Sequence, residues 1–570
     1  MEDNMEVKIK NDFYLSKILA FFVILMYTLK IRSVSMLKIN KKLFTLTGFV
    51  MMIAVFSMLF SSCETDSNSS NEQYASIEAK APSNQVDILL FNDFHGNVAE
   101  DTRPGKGKNA GMAKMIGYVK TAGRENPNTI VVAGGDNYQG TAISNLTYGA
   151  PVSAMMRAMN VTVSAVGNHE FDWGVKHMTK WQKDGNFTFL AANIVDKTTK
   201  KPVTWAKPYM IIAKGGYKIA FIGLAHPDTV TLTSAEHVSG LEFTDPVMAG
   251  QEWVDYLLAG KAREGKPDAI IALTHIDSDQ KDDAISGNAV KLAEIKGLHA
   301  VLSAHSHRTV SGTVNGMPVL QAYCYGRAVG KLSLTFGENK ELVKCEPVVD
   351  EIWKTKSDII EDEKGKAVHE KYEAELKPIM GEVIGTAEGE FTHERSDKGS
   401  NTLLGAWAAE VQRQLGKADI AIQNGGGLRR TLAAGNITVG DLYEIMPFDN
   451  YLVVFDLSGA EIKKAIDHGI NNPNITDGQF AGLRVEYDGR KPFESRITKI
   501  TLMDGTPLDM NKTYKVVVNS FMFTGGDAYD FSKAMNAAES VSIRDALIDA
   551  IKKAKTITPK PVDYIKDISK

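Results

Sequence analysis

Five short polar clusters in this chain carry side chains that bind metals. They are Asp93-Phe94-His95, Gly134-Gly135-Asp136, Gly167-Asn168-His169-Glu170, Thr274-His275 and His305-Ser306-His307. Each offers a carboxylate, an amide oxygen or an imidazole. Asp93 and His95 lie two positions apart, as do His305 and His307. In extended chain such pairs project to the same side, so each pair can aim two donors into one site. The mixed oxygen and nitrogen set suits Zn²⁺, Mn²⁺, Co²⁺ or Fe²⁺ better than Ca²⁺ or Mg²⁺, which prefer all-oxygen shells. No thiolate takes part, which argues against a structural zinc site. Asp93, Asp136 and Asn168, meeting His95, His275, His305 and His307, would hold two divalent ions.

Such a meeting needs a scaffold. Each cluster closes an apolar run, at 86–91, 129–133, 161–166, 269–273 and 299–303. Runs rich in Val, Ile, Leu and Ala read as buried strands. In an α/β sheet, residues just past the carboxyl ends of strands converge in one crevice. Further strand-like runs at 187–194, 218–225 and 331–336 extend an α/β layered core over about 85–350. A charged, Lys/Glu-rich stretch follows, with Ile352, Ile359, Ile360, Val368, Tyr372 and Leu376 at helical spacing, so 351–380 is expected to be a linker helix. A second domain is expected over 381–557, leaving 558–570 as a tail. It has a helix at 402–415 and strands at 420–423, 452–457, 483–487, 497–502 and 514–518.

In order and wording the five clusters resemble the calcineurin-like metallophosphoesterases. The resemblance is closest to the bacterial family of 5′-nucleotidases, UDP-sugar hydrolases and 2′,3′-cyclic-nucleotide phosphodiesterases. Gly-Asn-His-Glu-Phe-Asp, from Gly167 to Asp172, is its most specific signature, and the likeness runs from about 85 to about 551. It implies a four-layer α/β/β/α metallophosphoesterase domain, joined by a linker helix to a smaller α+β substrate-binding domain. It implies Asp93, His95, Asp136 and His307 around one ion and Asp136, Asn168, His275 and His305 around the other, with Asp136 bridging. His169, outside both sets, would donate to a phosphoryl oxygen or protonate the leaving alkoxide, oriented by Asp172. Ala304 stands where the family often has Gly. His307 stands where some members have Gln, a change that bears on metal preference.

The second domain carries the same likeness in three segments, Asn424-Gly-Gly-Gly-Leu-Arg429, Pro447-Phe-Asp-Asn450 and Asn519 to Asp527. The resemblance implies that Phe448 and Phe521 sandwich a flat base and that Asp527 takes hydrogen bonds from ribose hydroxyls. Asn424 and Asn450 would meet base or sugar edges. Arg429 would grip phosphate through its planar fork, with Arg395 as a second phosphate-binding arginine.

Composition narrows the rest. A net charge of −4 over 570 residues gives no basic field for a nucleic-acid polymer. Cys324 and Cys345 read as buried small hydrophobes rather than a disulfide. Lys38, Lys41 and Lys42, an apolar run over 43–60, then Ser61-Ser62-Cys63 have the form of a secretory signal. That form resembles a bacterial lipoprotein signal. It implies a periplasmic or cell-surface protein anchored through lipidated Cys63 on a tether over 64–84, with 1–35 an upstream extension ahead of Met36. The expected function is therefore that of an exported phosphohydrolase acting on nucleotides, 5′-nucleotidase first. Cyclic-nucleotide 2′-phosphodiesterase/3′-nucleotidase and UDP-sugar or dinucleotide pyrophosphatase are alternatives in the same class. A non-catalytic nucleotide-binding lipoprotein would not need the intact ligand set and His169.

Overall fold

The computed structural model describes residues 73–101, 108–233 and 235–570. The signal, Cys63 and the 1–35 extension lie outside the described residues. Apolar runs with period-two faces build two six-stranded sheets. In the first, strands Leu342–Asp350, Val329–Phe336, Gln85–Phe91, Thr129–Ala133, Val161–Ala165 and Thr188–Leu190 lie side by side in that order. In the second the order is Thr309–Val314, Met317–Ala322, Ala300–Leu302, Ala269–His275, Tyr217–Ala225 and Tyr209–Lys214.

Successive side chains of a strand face opposite ways, and here both ways are apolar. Ile88, Leu90, Val132 and Val163 meet Phe221, Ile271, Leu273 and Leu302 between the sheets. Leu89, Phe91 and Val131 turn outward onto Met115, Met155 and Trp181 of helices Gly111–Glu125, Ala150–Ala158 and Met178–Gly185. Ile222 and Ile270 of the other sheet meet Val254 and Leu257 of helix Pro246–Leu258. The order helix, sheet, sheet, helix is the one the resemblance implied. The central strands are parallel, so their carboxyl ends, where the polar clusters begin, share one edge.

The remaining chain forms a second α/β layer system. A five-stranded sheet runs Gln479–Ala481, Ile420–Gln423, Thr513–Asn519, Tyr451–Ser458, Met535–Ser542. Leu404 and Ala408 of helix Leu403–Leu415, with Leu547 and Ile551 of helix Ile543–Ala554, cover one face. Thr402 starts the first of these helices by accepting the Gly405 N–H. Residues 76–570 make one compact unit, in which helix Glu363–Met380 touches both helix Gly111–Glu125 and helix Val439–Ile445.

Several boundaries differ from expectation. The linker is not helical throughout 351–380. Strand pairing continues to Asp350, short turns follow, and the helix begins at Glu363 because Asp362 caps it by accepting the Gly365 N–H. Gly365 lets the helices approach closely there, since a Cβ would come within 2.6 Å of the Ile116 side chain on the crossing helix. The run 187–194 is not one strand. Asn193 is buried and binds Ala225 through both its N–H and its carbonyl, which pulls the chain out of the sheet after Leu190. The end of the chain is not a free tail, since Ile565–Asp567 pairs in parallel with Leu483–Tyr487 and buries Ile565. The tether is shorter than expected, because the N–H groups of Lys80 and Ala81 donate to the Glu125 carbonyl. Cys324 and Cys345 are free thiols. Among the described residues no helix is long and apolar enough to cross a membrane.

Candidate active site

The backbone that presents the polar clusters is curled rather than extended. Asp93, His95, Asp136, His305 and His307 have φ of 49°, 49°, 53°, 76° and 54°, the left-handed region that non-glycine residues seldom occupy. The expected i, i+2 alignment of extended chain therefore does not operate. Each pair instead converges because the turns are clasped together: the Asp93 N–H donates to the Gly135 carbonyl and the His95 N–H to Asp136, both at 3.0 Å. Gly135 lies at the crowded centre with φ 92°, where a Cβ would fall 2.7 Å from the Gly167 nitrogen and 2.8 Å from His275 Nδ1.

Six of the seven expected donors, Asp93, His95, Asp136, His275, His305 and His307, are drawn together. Asp136 Oδ2 lies 3.0 Å from His275 Nε2 and 3.8 Å from His95 Nε2, so this carboxylate stands between the two groups of imidazoles. Asp93 Oδ1 is 3.3 Å from His307 Nε2 and 4.0 Å from His275 Nε2. His95 and His307 face each other at 3.2 Å, and His305 Nδ1 faces His275 Nε2 at 3.3 Å. The other ring nitrogens are anchored outside: His95 Nδ1 donates to the Gln139 carbonyl and His275 Nδ1 to Gly134, both at 2.8 Å. That arrangement turns Nε2 of both rings inward, as in metal-binding histidines.

The donor set fits divalent cations. Asp93 Oδ1 and Asn168 Oδ1 are buried without a hydrogen-bond partner, a costly condition that a cation would relieve. Donor atoms of Asp93, His95 and His307 lie within 4.8 Å of one another, as do those of Asp136, His275 and His305. The electrostatics agree. Burial opposes charge on His275, but the carboxylates of Asp136 and Asp93 overcome it and raise the imidazole to about 10. Burial likewise opposes charge on Asp93, and the imidazoles of His307 and His275 still hold it down to about 2. The other three imidazoles go the opposite way: burial lowers His95, His305 and His307, which favours their neutral, ligand-competent form.

His169 Nδ1 and Asp172 Oδ2 are 2.8 Å apart, the pairing expected of an oriented imidazole. Burial works against its protonation, but Asp172 and Asp136 raise it overall. The His169 N–H also donates to Asp136 Oδ1 at 2.9 Å. A ring nitrogen of His169 lies within 4.8 Å of the donors of His95 and Asp136, close enough to act on whatever the cluster binds.

Sequence reasoning passed over two residues. Glu170, fully buried, accepts N–H groups from Asp136 and Gly167 at 2.7 Å and from Asn137 at 2.8 Å. It locks the Asp136 turn to the Asn168 turn. Burial, with the charge of Asp136, pushes its carboxyl up to about 7 against these hydrogen bonds. Asn92 donates to Asp93 Oδ2 at 2.6 Å and to the Tyr323 carbonyl at 2.7 Å, turning Oδ1 inward. The only written signal for either is its position beside a donor.

The second domain faces this centre through Phe448 and two arginines. Phe448 stacks on His169 at 5.6 Å between centroids, with 23° between planes, and Arg429 sits over the same ring at 5.7 Å. Arg544 holds the Phe448 loop by donating to the Met446 carbonyl at 3.1 Å and pairing with Asp449. Arg395 is solvent-exposed, and the neighbouring charge of Arg429 lowers it to about 10. Asp527 takes an N–H from Asn424 at 2.7 Å, and the Asn424 carbonyl oxygen is itself bound by Asn519 at 2.7 Å. Asn424 therefore holds Asp527 in place. Asn450 is half-buried, its carbonyl accepting the Ile543 N–H. Phe521 lies against Gly526, where a Cβ would come within 2.5 Å of the ring. Among the described residues no ring contact joins Phe448 to Phe521. Phe448 covers its apolar face with His169 and Arg429.

Two family profiles match the chain. That of the calcineurin-like phosphoesterases covers residues 86–309, and that of the 5′-nucleotidase C-terminal domain covers 383–534. The chain is 31% identical over 464 residues to the endonuclease YhcR of Bacillus subtilis, across 77% of this chain and 37% of that protein. It thus spans little more than a third of that relative. It is 28% identical over 487 residues to protein UshA of Yersinia enterocolitica, across 78% of this chain and 86% of UshA. The structure of a 5′-nucleotidase precursor from Thermus thermophilus matches with a TM-score of 0.74 at 26% identity, over 85% of this chain and 100% of that one.

Proposed function

Because this chain belongs to the calcineurin-like phosphoesterases that carry a 5′-nucleotidase C-terminal domain, and so is a metal-dependent phosphoester hydrolase, we propose that it hydrolyses nucleoside 5′-monophosphates to nucleoside and phosphate. The observation that supports this most is the stacking of Phe448 on His169. It puts the side chains suited to a base and a phosphate within reach of the histidine–carboxylate cluster.

In this reading Asp93, His95, Asp136 and His307 hold one divalent ion, and Asp136, Asn168, His275 and His305 hold a second. The ions are of the Zn, Mn or Co type. Bound there, they would polarise the phosphoryl oxygens and acidify water for in-line attack. Arg395 and Arg429 take the phosphate charge and fix its orientation. His169, with Nδ1 tied to Asp172, offers Nε2 to the leaving oxygen and supplies its proton. Asp527, braced by Asn424, accepts from ribose hydroxyls. The base enters between Phe448 and Phe521, displacing Phe448 from His169. We assign the protein to the cell envelope, exported on the 36–63 signal and tethered through Cys63.

Phe521→Ala tests the base clamp, since Phe521 lies away from His169. Stacking is worth about 1–3 kcal/mol per base, so kcat/KM on AMP should fall roughly 5–150-fold. Hydrolysis of a small aryl phosphate should change far less, with an unaltered melting curve. Equal losses on both substrates would make Phe521 a fold residue. A panel of AMP, 3′-AMP, 2′,3′-cyclic AMP, UDP-glucose and NAD separates the activities within the class. Turnover of the cyclic or pyrophosphate substrates without AMP hydrolysis would overturn the 5′-nucleotidase reading.

A further inference from the structure

Two residues that flank His169 in the signature, Asn168 and Asp172, are held by a single short segment. The Asn168 side-chain amide donates to the Leu232 carbonyl at 3.3 Å. The next residue, Thr233, donates its hydroxyl to Asp172 Oδ1 at 3.2 Å. Thr233 is buried, at 3% exposure. Asp172 uses its other oxygen, Oδ2, for His169 Nδ1. Thr233 is the one side chain among the described residues that hydrogen-bonds to Oδ1.

The segment is itself anchored at its start. Thr229 Oγ1 donates to the His226 carbonyl at 2.7 Å, and His226 is bound by Asp277 at 3.2 Å. The helical turn Thr229–Leu232 then packs against Gly526–Ala528 of the second domain, the turn that bears Asp527. One element therefore lies against the turn that bears the expected ribose-binding residue and bonds Asp172, the partner of His169.

We propose that Thr233 is a positioning residue of the reaction: its hydroxyl fixes the rotation of the Asp172 carboxylate, which in turn aims His169 at the scissile oxygen. A carboxylate with one oxygen on an imidazole and the other free can swing about its Cβ–Cγ bond. A hydroxyl on the second oxygen removes that freedom and keeps the imidazole in one tautomer and one plane. The turn carrying Thr233 rests on the Asp527 segment, so the aim of His169 is set when the second domain is seated against the first.

This inference rests on the phosphohydrolase reading of the site but not on the identity of the nucleotide. Thr233→Val and Thr233→Ser, loaded with Mn²⁺, would be assayed on AMP and on an aryl phosphate. Thr233→Val should lower kcat about tenfold on both substrates, with KM within about twofold of the parent and an unshifted melting curve. Thr233→Ser, which keeps the hydroxyl, should recover most of the rate. A parent-like kcat for Thr233→Val would overturn the proposal. So would equal losses in the two variants, or an effect confined to KM. A parent enzyme that cleaves the aryl phosphate but not AMP would overturn the nucleotide reading alone, because the Thr233 comparison is then read on the aryl substrate.

Discussion

Replacing His169 by Asn should cut kcat by about 10²–10⁴-fold, the range for loss of a general acid or charge-stabilising donor, while the metal content stays unchanged. The reason lies in where its nitrogens point. Nδ1 is committed to Asp172 at 2.8 Å, and stacking on Phe448 covers one face of the ring. Nε2 is left as the atom free to meet a phosphoryl or leaving oxygen. The side chain's closeness to His95 and Asp136 makes a ligand role the rival explanation, and metal analysis separates the two. His275→Ala, which removes an imidazole 3.0 Å from Asp136, should lose metal. If His169→Asn loses as much metal, or keeps its kcat, the acid role is wrong.

Removal of metal should be still more severe. Exhaustive chelation is expected to abolish turnover, and Mn²⁺, Co²⁺ or Zn²⁺ to restore it, because acidifying the attacking water is the chemistry the ions would supply. A readout independent of catalysis follows from the same carboxylates. A cation that binds only the folded chain stabilises it by RT ln(1 + [L]/Kd), about 2.7 kcal/mol at a hundredfold excess over Kd. The melting temperature should therefore rise on adding metal to the stripped protein. Full activity in metal-free protein, or a melting temperature indifferent to metal, would sink the assignment of these residues as ligands.

Much of this centre was legible in the sequence, for a physical reason. Strands buried on both faces must be written as unbroken apolar runs, so Thr129–Ala133 and Ala269–His275 announce themselves, and Asp136 and His275 stand out at their ends. The donors are also chemically narrow types, and seven of them following strands in order have few other uses. The illegible parts depend on neighbours distant in sequence. Nothing in Glu170 itself states that three backbone N–H groups will surround it. The break after Leu190 is made by Asn193 reaching Ala225. The closing strand Ile565–Asp567 is too short to declare itself without the partner at Leu483–Tyr487. Phe448 carries a stacking surface that the sequence ties to a base, whereas its partner in the structure is an imidazole from the other domain.

The left-handed turns at Asp93, His95, Asp136, His305 and His307 have an evolutionary consequence. Each non-glycine residue held there costs about 1–3 kcal/mol, and glycine would occupy the same conformation without that cost. At these five positions the residue best for folding and the residue best for chemistry are different. A population selected only for robustness would be expected to drift toward glycine there and lose these side chains one by one, gaining thermal resistance as it became inert. Keeping aspartate and histidine at all five is what selection for their chemistry would require.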